Sequence, residues 1–162
     1  MQIIKDQKII DDCWQHLTEE VNITNLPDGN IIVTLNIWKT AKESLITRQS
    51  SLGIKLSSDE LLPEILADLN FFELIALDFT PYKDGRHFST ARLLRERHNY
   101  KGEIRATGDV LRDQLLYMQR VGFDAFELGP NQDPETALTA FDDFSTAYQS
   151  TADQNLPAYQ RK

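Results

Sequence analysis

Residues 71–79, FFELIALDF, carry aliphatic and aromatic side chains at odd and even positions alike, and this narrows the choice of fold more than any other feature of the chain. A strand points successive side chains to opposite faces, so a run that is apolar at both parities must be covered on both sides. That is the situation of a central strand in a parallel sheet. The strand is expected over 72–79, ending near Asp78 before a polar loop that leads to a helix.

The same alternation recurs on either side of it. IIVTL predicts a β-branched strand at 31–35, followed by helix formers from Ile37 to about Arg48 with Asn36 as the expected cap. LGIKL predicts a strand at 53–56, and SSDELLPEILADL a helix in which Ser57 and Glu60 stand at capping-box spacing. A helix is expected from Phe88 or Ser89 to His98, then a strand at 103–107 in GEIRAT. A helix over Asp109 to Val121 follows, with Asp109 as N-cap and Gly122 as its stop. A strand at 124–128 precedes a last helix that opens with Asp133, Pro134 and Glu135 and runs to about Tyr148. Ahead of all these, QIIKDQKIID predicts a short hairpin turning between Lys5 and Lys8.

Five strands alternating with five helices predict an α/β domain over residues 1–150, with 151–162 as a polar tail. A closed eight-fold barrel typically takes about 250 residues, so a mostly parallel open sheet is expected. The alternative is a half-barrel completed by a second subunit, which would make the protein a homo-oligomer.

Composition removes several classes of function. No run approaches the ~18 apolar residues of a membrane span, and the first residues have acids where a secretory signal has its apolar centre, so a cytoplasmic protein is expected. The single cysteine, Cys13, excludes an internal disulfide and an iron-sulfur cluster held by this chain alone. Cys13 and His16 form a C-x-x-H pair with no second pair at zinc spacing, so Cys13 is expected to be a small buried residue beside Trp14. There is no P-loop and no G-x-G-x-x-G, and no cofactor is evident.

The net charge of -8 argues against nucleic acid, but it is unevenly spread. Residues 82–128 hold nine Lys/Arg against seven Asp/Glu, and seven of the nine arginines lie between Arg86 and Arg120. A locally basic region in an acidic protein suits a small anion or an acidic partner surface. In parallel α/β sheets ligands bind beyond the carboxyl ends of the strands, where helix N-termini converge. Arg86 is expected in such a loop, beside the Asp84–Gly85 turn and His87. Arg105, inside an apolar strand, needs either an anion or an ion pair, for which Asp78, Asp109 and Asp113 are the expected partners. On the helix, Arg97 takes a slot on the apolar face, Arg92 pairs with Glu96 at i,i+4, and Arg95 is expected to be solvated. Ser89 has no G-x-S-x-G elbow around it and reads as a helix-start residue, not a nucleophile. The candidate anion or partner site is Asp84, Arg86, Ser89, Arg92, Arg105, Asp109 and Arg112.

The motifs DGR at 84–86, SxARLLRER at 89–97 and GEIRATGDVLRDQ at 102–114 closely resemble an uncharacterised bacterial family. That family is described as oxidoreductases of sulfite reduction and is encoded beside sulfite reductase. The resemblance spans residues 72–128 and departs at His87 and at Thr80 to Tyr82, where the family pattern is more aromatic. It implies a place in assimilatory sulfite reduction, with sulfite reductase or another sulfur-assimilation protein as partner and sulfite or sulfate as ligand. Sulfite reduction takes six electrons, and the chain has neither a cluster nor a visible dinucleotide site. An accessory role is therefore expected. The alternatives are an oxidoreductase with a non-covalent flavin or nicotinamide, and an interaction module without ligand.

Overall fold

The N-terminal hairpin forms as its sequence predicts. Strands β1 (Gln2–Lys5) and β2 (Lys8–Asp11) pair antiparallel across Asp6 and Gln7, which take φ values of 49° and 59°. Two successive left-handed residues make the turn whose twist matches that of the strands it joins.

The computed structural model describes residues 1–18, 25–80 and 85–142. After the hairpin come β3 (Trp14–His16), β4 (Asn30–Thr34), α1 (Leu35–Ile46), β5 (Leu52–Leu56) and β6 (Leu74–Asp78). Then follow α2 (Arg86–Glu96), β7 (Glu103–Thr107), α3 (Leu115–Val121), β8 (Ala125–Phe126) and α4 (Pro134–Leu138). All eight strands form one sheet in the order β2-β1-β8-β7-β6-β5-β4-β3. From β3 to β8 every neighbour is parallel and follows in chain order, and β1 joins the hairpin to β8 antiparallel, with Ile4 opposite Phe126.

The connection between β2 and β3 decides the shape of this sheet. Only Asp12 and Cys13 separate the two edge strands. Three Cα steps reach at most about 11 Å, whereas eight strands laid flat would hold the edges about 34 Å apart. The sheet therefore curls into a half-barrel with its edges tied together at Asp12. The expected α/β class with a mainly parallel sheet holds, while the five-stranded open form is only roughly matched. The half-barrel alternative is nearer, and a single chain supplies all eight strands.

The two sides of the curl differ. Ile54, Ile75, Leu77, Ile104, Ala106 and Phe126 face outward into the main core with Trp38 and Leu45 of α1, Leu94 of α2 and Met118 of α3. Ile32, Leu74 and Ala76 face inward and pack with Trp14. FFELIALDF is thus covered on both faces, with Leu74 to Leu77 fully buried, but helices cover only the outer one. The inner cover is the opposite wall of the curl. On this face Gly53 sits between Ile32 of β4 and Leu74 of β6, and a Cβ there would lie 3.1 Å from the first and 3.2 Å from the second.

Helix boundaries moved for local reasons. Helix α1 starts two residues early because the Thr34 hydroxyl, not Asn36, accepts the Ile37 N–H, at 3.3 Å. The segment 57–69 does not form one helix but 3-10 turns at Leu62–Glu64 and Leu66–Phe71, since Pro63 lacks an N–H and its ring clashes with a preceding carbonyl. Only half of the capping box survives there, with the Glu60 carboxylate accepting the Ser57 N–H at 2.7 Å. Asp109 caps nothing, because α3 begins at Leu115 after a 3-10 turn at Arg112–Gln114. Helix α2 begins at Arg86, earlier than expected, so Arg86 is a first-turn residue and not a loop residue. Asp133 does cap α4, accepting the Thr136 N–H at 2.8 Å, and Gly122 ends α3 at φ 124°. Cys13 is exposed, not buried, with the Asn30 side-chain amide 3.6 Å from its sulfur. Asp84, the end of the last expected helix near Tyr148 and the tail 151–162 lie outside the described residues.

Candidate functional site

The parallel strands all open towards one end, and there the curl holds a cavity of about 390 Å3. Its lining comes from the strand ends and the residues just beyond them: His16, Leu17 and Thr18; Ile32 and Thr34; Lys55; Thr107 and Gly108; and Glu127. Ligands of parallel α/β sheets bind at this end, and a volume of this size suits a small molecule.

Thr107 closes β7 on the inner face. Its hydroxyl is buried and meets no hydrogen-bond partner among the described residues. Such a group normally costs about 1 to 3 kcal/mol, so it points to an interaction made with something else. Gly108 follows at φ 86°, and a Cβ there would fall 2.3 Å from Asp78 Oδ1 and 2.5 Å from Thr80 Oγ1. Only glycine permits both this backbone turn and the closeness of Asp78. Lys55 donates to Asp78 Oδ2 at 2.8 Å, while Asp78 Oδ1 accepts from the Thr80 N–H and hydroxyl. Burial alone would raise the Asp78 carboxyl, but Lys55 and Thr80 together hold it below its ordinary value.

Beneath the cavity the inner face carries a chain of charges. Arg105, 1% exposed, donates from Nε to Glu103 Oε1 at 2.7 Å. Its NH1 reaches Asp12 Oδ2 at 2.8 Å and Glu127 Oε1 at 2.9 Å. Glu103 also takes Lys5 at 2.7 Å, and Glu127 Oε1 lies 2.8 Å from His16 Nε2. The Glu127 carboxyl is buried, which would raise it, yet His16 and Arg105 hold it below its ordinary value. The expected partners of Arg105 are thereby corrected: Asp78 is turned to Lys55, and the carboxylates that reach Arg105 come from β7 itself, from beyond β8 and from the edge link. Alternation explains this, because Glu103 and Arg105 share a parity and a face.

The other expected site residues do not gather around Arg105. Arg86 and Ser89 stand exposed on the first turn of α2, and Arg92 further along the same helix pairs with Glu96 at 2.9 Å. Asp109 is half-buried in the turn after β7. Arg112 donates to Thr136 O at 3.2 Å and to Thr139 Oγ1 at 2.7 Å, tying the approach to α3 onto α4. None of these lines the cavity. Polar residues that do line it are His16, weighed from the sequence only as a partner of Cys13, and Lys55, Thr107 and Glu127, which sequence reasoning passed over. Lys55 left the clearest signal, as the one charge inside LGIKL.

Among the described residues no helix is long and apolar enough to cross a membrane, and no group of three or more His, Cys, Asp or Glu is placed to hold a metal ion. The fold and its mouth define an α/β half-barrel with a small-molecule-sized cavity at the carboxyl ends of its parallel strands. The chain belongs to a family of bacterial proteins of unknown function, DUF934, whose model matches residues 53–159. The match takes in Lys55, Thr107 and Glu127, while His16 precedes it. No curated protein and no solved structure matches the chain.

Proposed function

We propose that this protein is an accessory component of assimilatory sulfite reduction that holds a small oxyanion in the mouth of its half-barrel. The observation that carries the binding part is the Thr107 hydroxyl, buried without a partner among the described residues in the wall of a cavity of about 390 Å3. Around it stand groups that can complete an oxyanion shell. Lys55 has three N–H donors, of which Asp78 takes one, and His16 brings a ring nitrogen. The pathway part rests on the resemblance of residues 72–128. The exposed Arg86 and Arg92 of α2 offer an acidic partner such as sulfite reductase a basic surface.

Thr107→Val tests the binding part, because it removes the hydroxyl while nearly keeping the shape. Without anion the variant is expected to be as stable as the parent or about 1 kcal/mol more stable, since an unsatisfied group is lost. Sulfate or sulfite at about 100 times its dissociation constant should stabilise the parent by about 2.7 kcal/mol and the variant by clearly less. If neither anion raises the parent's melting temperature beyond chloride at equal ionic strength, the site reading fails. For the pathway, deleting the gene should impair growth on sulfate or sulfite, with cysteine restoring it. Normal growth of the deletion strain on sulfate would remove that assignment.

A further inference from the structure

Glu127 lines the cavity just beyond β8, and its two carboxylate oxygens have different surroundings. Oε1 accepts from Arg105 NH1 at 2.9 Å and lies 2.8 Å from His16 Nε2. Oε2 meets no partner among the described residues, and it is not one of the unpartnered atoms sealed away from solvent. The carboxylate is held in place from below, because the guanidinium that grips Oε1 is buried and is itself fixed by Asp12 and Glu103.

Burial would raise the Glu127 carboxyl, but His16 and Arg105 hold it below its ordinary value, so near neutral pH it is ionised and both its oxygens can only accept. A fully deprotonated oxyanion also presents nothing but acceptors. Placed against Oε2 it sets lone pairs against lone pairs and like charge against like charge. Elsewhere the same wall offers donors, the Thr107 hydroxyl and the Lys55 ammonium. A ligand that matches the whole wall therefore has bare oxygens on one side and a hydrogen on another.

We infer that the mouth selects an oxyanion that still carries a hydrogen, such as hydrogen phosphate or the O–H form of hydrogen sulfite. The ligand O–H is donated to Glu127 Oε2, and the bare oxygens are received by Thr107 and Lys55. This rests on the oxyanion reading of the cavity and narrows it, since sulfate then binds more weakly than a hydrogen-bearing anion of the same shape. Glu127 acts by rejection as much as by attraction, because a ligand without the O–H leaves a carboxylate oxygen facing an anion with no hydrogen between them.

Calorimetric titration of the full chain at a mildly alkaline pH compares three tetrahedral dianions: hydrogen phosphate, which has the O–H, and sulfate and monofluorophosphate, which do not. The parent should bind hydrogen phosphate more tightly than either of the others by about tenfold or more. Glu127→Gln, whose amide can donate as well as accept, should reduce that preference to about threefold or less. Thr107→Val should weaken all three anions and leave their ratio in place. A smaller preference in the parent, a preference that Glu127→Gln leaves unreduced, or one that Thr107→Val abolishes overturns selection by Glu127 and leaves the oxyanion reading standing. Should Glu127→Gln fail to fold, monofluorophosphate decides in the parent, since it differs from hydrogen phosphate only in having fluorine where the hydroxyl stands. Failure of all three anions to bind the parent overturns both.

Discussion

Replacing Arg105 with methionine is expected to lower stability by about 3 to 5 kcal/mol, enough to unfold much of a marginally stable population. The guanidinium is 1% exposed, and its three carboxylate partners, Asp12, Glu103 and Glu127, are 3%, 7% and 13% exposed. Methionine fills much of the volume but leaves those charges without their common partner in a low dielectric. The location adds to the cost, because Asp12 is the link between the two edge strands and Arg105 is the side chain that holds it to the middle of the sheet. Urea unfolding at neutral pH measures the loss, and a second series at about pH 5 reads its origin. In the parent, Glu127 has a depressed pKa, so its contribution is present above its unfolded pKa and is lost as pH falls through the folded value. In the variant the stranded carboxylates shift upward, so their penalty is relieved as pH falls. At about pH 5 the second of these trends narrows the gap between the two proteins, and the first adds to it only as pH falls below the ordinary carboxylate range. Arg105→Lys, which keeps the charge but not the fork, should fall between them. A methionine variant within about 1 kcal/mol of the parent at neutral pH would show that the ion cluster is not what closes the curl.

How much of this was legible depended on how local the cause was. Hairpin, strand positions and the Asp133 cap rest on neighbouring residues, and they appear close to where the sequence puts them. The double burial of FFELIALDF was also legible, but two coverings satisfy the same pattern, a second helix layer or the opposite wall of a curl. What chooses between them is the two-residue link at Asp12 and Cys13, whose meaning depends on knowing that β2 and β3 are opposite edges of one sheet. Strand β3 has three residues, WQH, too few for periodicity to mark. The pairing of Ile4 with Phe126 joins positions that no local pattern relates. Asp109 illustrates the converse, a good capping residue overruled by a turn that Gly108 and Val110 fix through tertiary contacts.

The site was legible only in its end of the sheet. A run of arginines draws attention to charge, yet Arg105 spends its donors on three carboxylates, two of them far away in sequence. The groups that line the mouth were ordinary residues in their own segments. Thr107 became informative only because its hydroxyl is buried and unmatched, which is a property of the fold and not of a strand ending in threonine. His16 was weighed as half of a metal pair with Cys13, whereas its partner is Glu127, on the other side of the curl.

The same contrast between helix position and actual partners gives the second large expected effect. Arg95→Ala should cost about 2 to 4 kcal/mol, while Arg97→Ala should fall within about 0.5 kcal/mol of the parent, the reverse of what the apolar spacing on α2 predicts. Arg97 is exposed. Arg95 is 18% exposed and spans three carbonyls, donating from Nε to Gly122 O at 3.0 Å and from NH1 to Tyr100 O at 2.7 Å and Gly102 O at 2.8 Å. Its NH2 meets Asp124 Oδ2 at 2.8 Å. One side chain therefore binds together the end of α2, the entry to β7 and the turn between α3 and β8. Gly122 leaves room for it, since a Cβ there would lie 2.6 Å from Arg95 Cγ. The Asp124 carboxyl reports on the arrangement. Burial pushes it up to about 6, against the pull of Arg95 and of the Ile104 N–H. A folded pKa above the unfolded one means a contribution that is present in acid and lost as pH rises through about 6. Removing Arg95 deletes the opposing cation, so the Asp124 midpoint followed by carboxyl NMR should rise further, and the variant should be more impaired at neutral pH than at about pH 5. An unmoved midpoint, or equal losses from Arg95→Ala and Arg97→Ala, would mean that packing of the arginine stem, and not this set of hydrogen bonds, is what α2 contributes at its last turn.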